Sequence, residues 1–419
     1  MIWAIGGKML ILCIEQKNLT TMATAIYTLT SQLHDAAAVD AATQEFLGGL
    51  GIEYELMGSN FKTYGGHDLE LIYVRTGGTE GIFKNELPRM LRQSKQPFYL
   101  LTSGKSNSLA ASMEILSYLR KQGLRGEILH GSNQYINSRI TTLQQVGRVM
   151  RDLNGCRLGV IGEPSDWLIA SAAKYRTIED RLGIEIVHID MDELLMLIDR
   201  IPADIESDLM NKAPNDAIRT SLPGAERIYE ALKLIVEGYD LQGFTIRCFD
   251  LLTAVQNTGC VALAKFNSQG IVAGCEGDIP AMLSMKIAQA VTGKSGFQAN
   301  PARINPETGE LLFAHCTIPL DMVDDFELDT HFESGIGVGI RGFMKPGPVT
   351  IFKVSGGLGR HFAEEGMLVE CQGKPDLCRT QQVIQLNDKE AARYFLTNPI
   401  GNHHIIMQGH HKAVLDEIL

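Results

Sequence analysis

Four things missing from this sequence each close off a class of protein. No stretch approaches the roughly 20 consecutive apolar residues that cross a bilayer, so no membrane-spanning helix is expected. Basic residues are outnumbered, 38 Lys and Arg against 49 Asp and Glu, for a net charge of −11. A surface of that sign suits neither nucleic acid nor an anionic membrane as the main partner. No Cys-x-x-Cys pair occurs among the eight cysteines, which stand at 13, 156, 248, 260, 275, 316, 371 and 378. In a chain of this size that scatter favours free thiols in a reducing cytoplasm over a disulfide framework. Cys371 and Cys378 have the spacing to meet across a loop, but buried thiols are the reading here as well. Internal repeats and low-complexity segments are absent too.

What is present describes a globular chain. Its 419 residues, 45% hydrophobic and 21% charged, have room for two or three domains. The opening residues 1–12 are apolar but short. Lys8 interrupts them and no small-residue cleavage site follows, so they read poorly as a signal peptide. A cleaner strand over 23–29 follows Met22, and the first twenty or so residues are read as an upstream extension. The cytoplasm is the expected location.

Strand signals over 25–29, 71–74, 97–101 and 126–129 alternate with helix signals over 36–50, 82–92 and 107–122. Strands separated by single helices imply parallel crossovers and a doubly wound layer. A second alternating unit opens with strand 158–162, mostly helical 167–182 and strand 184–189. A weakly patterned helical connector over 202–223 and a helix over 224–237 come next. From 300 onward short strands dominate, at 311–315, 328–332, 349–354 and 379–386, with heavy glycine punctuation of the kind barrels and sandwiches need. The expected fold is α/β: two doubly wound Rossmann-like domains, 1–156 and 157–297, then a β-rich C-terminal domain, 298–419.

The most informative segment is Gly274-Cys275-Glu276-Gly277-Asp278-Ile279-Pro280. It sets two carboxylates on a glycine turn ahead of a pattern that reads as a buried helix. Asp278 fits the N-cap, where its side chain bonds the free amides of the first turn. Glu276 has no such structural task, and a carboxylate on a strand-to-helix turn is where α/β enzymes place chemistry. Four further stretches matter: Gly162-Glu163-Pro164-Ser165-Asp166-Trp167-Leu168, Phe313-Ala314-His315-Cys316, Cys378-Arg379-Thr380-Gln381 and Gly401-Asn402-His403-His404. Together and in this order they resemble the L-fucose isomerase and L-arabinose isomerase superfamily, over roughly the last two-thirds of the chain. The chain most resembles the shorter fucose-isomerase-related proteins.

That resemblance implies an aldose–ketose isomerase with a divalent cation, Mn²⁺ foremost. A monosaccharide or a derivative of one would be the substrate, and the assembly a homo-oligomer, trimer or hexamer. Such an enzyme moves a proton between C1 and C2 while a cation polarises two adjacent oxygens. Glu276 is the expected base and ligand; its alternative is a carboxylate capping its own turn. The superfamily's second carboxylate falls near Asn300, and an amide there carries no charge and is a poor base. Asn300 is nevertheless kept as a catalytic and metal candidate, with Asp278 and Glu333 as compensating carboxylates. His315 ends an apolar strand and is either a ligand or a satisfied structural donor.

Neighbouring strand residues face opposite ways, so only one of His403 and His404 can face a given site. His404 is the expected ligand, with His403 beside it contacting substrate. Arg379, His331, Glu333 and Trp167 complete the expected substrate contacts. A salt bridge for Arg379, a solvated strand face for His331 and Glu333, and core packing for Trp167 are the alternatives. Loops 75–81 and 103–107 follow strands and precede helices. In the resembled enzymes, N-terminal residues of a neighbouring subunit complete the pocket, and these loops are the candidates for that role. Neither has the dinucleotide or P-loop glycine spacing, which disfavours a nicotinamide-dependent dehydrogenase. The remaining alternative is a sugar-binding or regulatory relative without catalysis, which Asn300 motivates.

Overall fold

The computed structural model describes residues 24–94 and 97–419. The apolar opening and the proposed start at Met22 lie outside the described residues. Those up to Ile140 form one compact unit, and Thr141–Leu419 form another.

In the first unit the strand Thr24–Leu29 is buried at all six positions. It lies second in a parallel sheet ordered Glu55–Gly58, Thr24–Leu29, Leu69–Val74, Phe98–Leu101, Gly126–Leu129. Helices Ala36–Gly48, Glu80–Gln93 and Ser108–Lys121 are the crossovers. The alternation of apolar runs thus becomes the doubly wound layer it implies. Edge strand Glu55–Gly58, short and half exposed, was not expected. The two glycine loops meet, with Gly77 N–H donating to the Ser106 carbonyl at 2.7 Å. Arg75 is already engaged, paired with Asp40 at 2.6 Å.

The second unit opens with a four-stranded parallel sheet in the order Glu185–Ile189, Arg157–Ile161, Gly243–Ile246, Val272–Cys275. A closed antiparallel barrel follows, formed by Phe297–Asn305, Glu310–His315, Thr380–Leu386, His361–Gln372, Gly347–Val354 and His404–Gln408. Closure leaves no unpaired edge. Helix Ile279–Thr292 has eleven of its fourteen residues buried, as its all-round apolar sequence requires. It shares one core with Leu158, Val160 and Val272 of the parallel sheet and with Phe352, Val354, Ile405 and Met407 of the barrel. The helix therefore aims its N-terminus, and Asp278 with it, at the junction of sheet and barrel.

Three local expectations are corrected. The helix expected over 167–182 is confined to Tyr175–Leu182, with Trp167 in the preceding turn. The strand expected over 328–332 is Asp325–Asp329. His331 lies beyond its end, in a turn closed by Gly335 N–H on the His331 carbonyl at 2.9 Å. The helix expected to open at 224 begins at Asp216 and carries Pro223 inside it.

Candidate active site

The site starts at the end of strand Val272–Cys275. There the chain turns through Glu276 (φ 64°) and Gly277 (φ 68°), both left-handed. Gly277 is required twice over. Its φ disfavours any side chain, and a Cβ there would stand 2.8 Å from the Glu163 carbonyl oxygen and 2.8 Å from Pro164 Cα. Glu276 adopts the same conformation without glycine's freedom, a strain found disproportionately at functional positions. Two backbone bonds hold the turn: Ser165 N–H to the Glu276 carbonyl and Gly277 N–H to the Ile246 carbonyl, each 2.9 Å.

Asp278 is fully buried and caps helix Ile279–Thr292, its Oδ1 accepting from Ala281 N–H at 2.8 Å. Its other oxygen accepts from His403 Nδ1 at 2.8 Å and faces Lys353 Nζ at 3.5 Å. Burial opposes its ionisation. The Lys353 charge and the His403 bond override that and hold the carboxyl well below its ordinary range. Lys353 was not anticipated. The signal for it was a lysine inside the apolar run Val349-Thr350-Ile351-Phe352-Lys353-Val354. Burial draws its pKa down, against the pull of Asp278.

The paired histidines divide as strand geometry demands, in the opposite sense to that expected. Ile405 and Met407 pack toward helix Ile279–Thr292, and His403 shares their side. Ile406 faces the barrel interior. His404 does too, among Phe313, Phe362 and Phe395, with Nε2 bonded to Tyr394 Oη at 3.0 Å and Nδ1 to the Asn402 carbonyl at 3.0 Å. Burial and the nearby Lys353 push His404 down to about 3, so it is a neutral core residue. The structure places His403, and not His404, against Glu276, with Nε2 3.3 Å from Oε1.

His315 Nε2 lies 4.0 Å from the same oxygen. Trp167 Nε1–H donates to Glu276 Oε2 at 2.6 Å. Burial would raise the Glu276 pKa, but His403, His315 and the Trp167 bond hold it at about 2. Burial likewise opposes a charged His403, yet Asp278 and Glu276 lift it to about 9. His315 has no such support, and burial together with the His403 charge takes it to about 3.

Glu276 and His315 open onto a cleft of about 450 Å³, counting the solvent at its mouth, also lined by Asn300, His331, Glu333, Phe249 and Leu252. Burial and the Glu276 charge raise the Glu333 pKa. Trp167 is 51% exposed and stands edge-on to Phe249, with ring centroids 4.9 Å apart. Its indole N–H is committed to Glu276, a contact that sequence reading missed. Arg379 does not line the cleft. It donates to the Thr330 carbonyl at 2.7 Å and pairs with Asp329 at 3.4 Å, bracing the turn that carries His331.

Glu276, His315 and His403 each offer a ligand atom within 4.8 Å of the others, and among the described residues no other such group of three His, Cys, Asp or Glu was found. His403 Nε2 and His315 Nδ1 are buried without a hydrogen-bond partner. Two imidazoles and one carboxylate, with a second carboxylate fixing one imidazole through its far nitrogen, have the chemistry of a divalent-cation site. The residues fit the group that the motifs imply.

No family model matches the chain. Over 234 residues it is 24% identical to the sulfoquinovose isomerases of Priestia aryabhattai and Priestia megaterium, which covers 52% of this chain and 52% of theirs. The chain is similar to the sulfoquinovose isomerases. The likeness extends to that of Alkalicoccus urumqiensis, at 21% identity over 261 residues and 59% of each chain. The chain thus spans about half the length of the curated relatives it matches. It agrees with the resemblance to sugar isomerases carried by the motifs. Among the described residues no helix is long and apolar enough to cross a membrane.

Proposed function

We propose that this chain is an aldose–ketose isomerase acting on an open-chain monosaccharide, with Glu276 as its proton carrier. The observation that carries the reading is a buried carboxylate, held ionised, at a cleft wall with two imidazoles within 4.0 Å of one of its oxygens. Glu276, His315 and His403 would hold a divalent cation, Mn²⁺ in our reading, which supplies polarisation of two adjacent sugar oxygens when bound. Asp278 holds the Nδ1 proton of His403, and the second proton, at Nε2, which Glu276 stabilises, would be displaced on cation binding. The Trp167 indole fixes Glu276 Oε2 and so the direction of Oε1. In this geometry Glu276 takes a proton from one carbon and returns it to the next through a cis-enediol. Glu333, its pKa raised by burial and the Glu276 charge, suits proton transfer between the two oxygens. Asn300 is an uncharged contact for a sugar hydroxyl. We keep the homo-oligomer implied by the family resemblance as part of this proposal.

The relatives' name makes sulfoquinovose the first sugar to test, followed by a panel of neutral aldoses. Chelator treatment is expected to abolish ketose formation and Mn²⁺ to restore it. Equal turnover by metal-free protein would refute the cation; no ketose from any aldose would refute the isomerase. Asn300 favours a second reading, a sugar binder without catalysis. Binding by calorimetry with no deuterium entering C2 in heavy water would establish it.

A further inference from the structure

Five of the cleft's lining residues are cysteines: 248, 260, 275, 316 and 378. The chemistry above uses none of them. The described cysteines are free thiols, but they are not evenly spread. Cys248 Sγ and Cys275 Sγ stand 2.9 Å apart, and both residues are buried. That separation is closer than two unbonded heavy atoms settle, about 3.5–4.0 Å for carbon, and roughly 0.9 Å longer than a disulfide bond of about 2.05 Å. The backbones beneath the two sulfurs are already joined. Gly277 N–H donates to the Ile246 carbonyl at 2.9 Å, and so does Cys248 N–H at 2.8 Å. Cys275 is further fixed by Gln298, whose Oε1 accepts from its N–H at 2.9 Å. Little rearrangement separates the two thiols from a bond. Cys275 directly precedes Glu276.

We propose that Cys248 and Cys275 form an oxidation site, closing to a reversible intrachain disulfide on exposure to a peroxide and pinning the Glu276 turn. One sulfur attacks a peroxide oxygen, giving a sulfenic acid and releasing water. The second sulfur then attacks the first and expels the sulfenic oxygen as a second water. In sum two thiols and one hydrogen peroxide give one disulfide and two waters, the sulfurs losing the two electrons the peroxide gains. A dithiol reverses it by exchange. Both residues are free thiols, so closure needs the added oxidant. The proposal does not depend on the sugar chemistry, because the covalent bond is read directly.

The test treats the full chain with hydrogen peroxide, alkylates the remaining thiols in denaturant, and maps the digest by mass spectrometry. Expected is a peptide linking Cys248 to Cys275, a loss of two of the eight thiols, and full recovery with dithiothreitol. Cys248→Ala, or Cys275→Ser if the first does not fold, should lose the linked peptide. No linked peptide in the unsubstituted chain, or a Cys316–Cys378 link in its place, overturns the assignment. Calorimetric titration should also show Mn²⁺ affinity falling about tenfold in the oxidised chain, the size of an outer-shell change. An unchanged affinity with the disulfide formed overturns its action on the Glu276 turn. If the reduced chain binds no Mn²⁺ at all, the proposed function fails while the peptide map still decides this proposal.

Discussion

Asp278 serves two elements with two oxygens, one capping helix Ile279–Thr292 and the other setting the tautomer of His403. The two roles separate experimentally, because Asn caps a helix about as well as Asp but brings no charge to the imidazole. Asp278→Asn is expected to weaken cation binding by about 10–100-fold in a calorimetric titration, with the far-ultraviolet circular dichroism unchanged. Undiminished affinity would remove Asp278 from the orienting role. The neighbouring histidines give a sharper contrast. His403→Ala should end stoichiometric cation binding, measured as metal content after gel filtration. His404→Phe should leave that content intact but lower stability to urea by about 1–3 kcal/mol, since the half-buried Tyr394 hydroxyl keeps the Ile400 N–H but loses its second partner. The reverse pattern would restore His404 as the ligand.

At the scale of elements, the site is a turn clamped between two others. Gly277 lets the 163–165 backbone come against the Glu276 turn, and any side chain there meets both a positive φ and two atoms at 2.8 Å. Gly277→Ala is therefore expected to cost at least about 1–3 kcal/mol in urea unfolding. A change within about 0.5 kcal/mol, ordinary for a surface substitution, would show that the turn gives way easily. This clamp also explains why Trp167 lies in a turn and not in the helix expected over 167–182. Its turn is set by a segment 109 residues away in sequence, which no local pattern carries. The Asp278 cap was legible because capping is local. For the histidine pair, alternation was legible but its phase was not, because phase depends on which strand face meets helix Ile279–Thr292. At Pro223 the cost of a proline inside a helix is outweighed by packing: Leu222, Ala225 and Glu226 on either side of it are buried. Strand 328–332 shifted because the His331 carbonyl is taken by the turn that follows.

At the scale of the molecule, the α/β alternation and the β-rich end were readable because each rests on periodicity within a few residues. The closed barrel and the cleft were not, since both depend on strands that pair far apart in sequence. The Trp167, Glu276, Asn300, His315, Glu333 and His403 side chains come from separate segments and converge only after the barrel closes against the helix. That convergence is what the functional proposal stands on. The measurement that tests it most directly is hydrogen exchange at C2 of an aldose substrate in heavy water, followed by nuclear magnetic resonance with Mn²⁺ present, for the unsubstituted chain and for Glu276→Gln. The account predicts that the C2 hydrogen of the aldose is lost at the rate of ketose formation, as the proton is delivered to C1, and that this rate falls about 10²–10⁴-fold on substitution, the usual contribution of a positioned proton carrier. Exchange that continues undiminished in Glu276→Gln would contradict it.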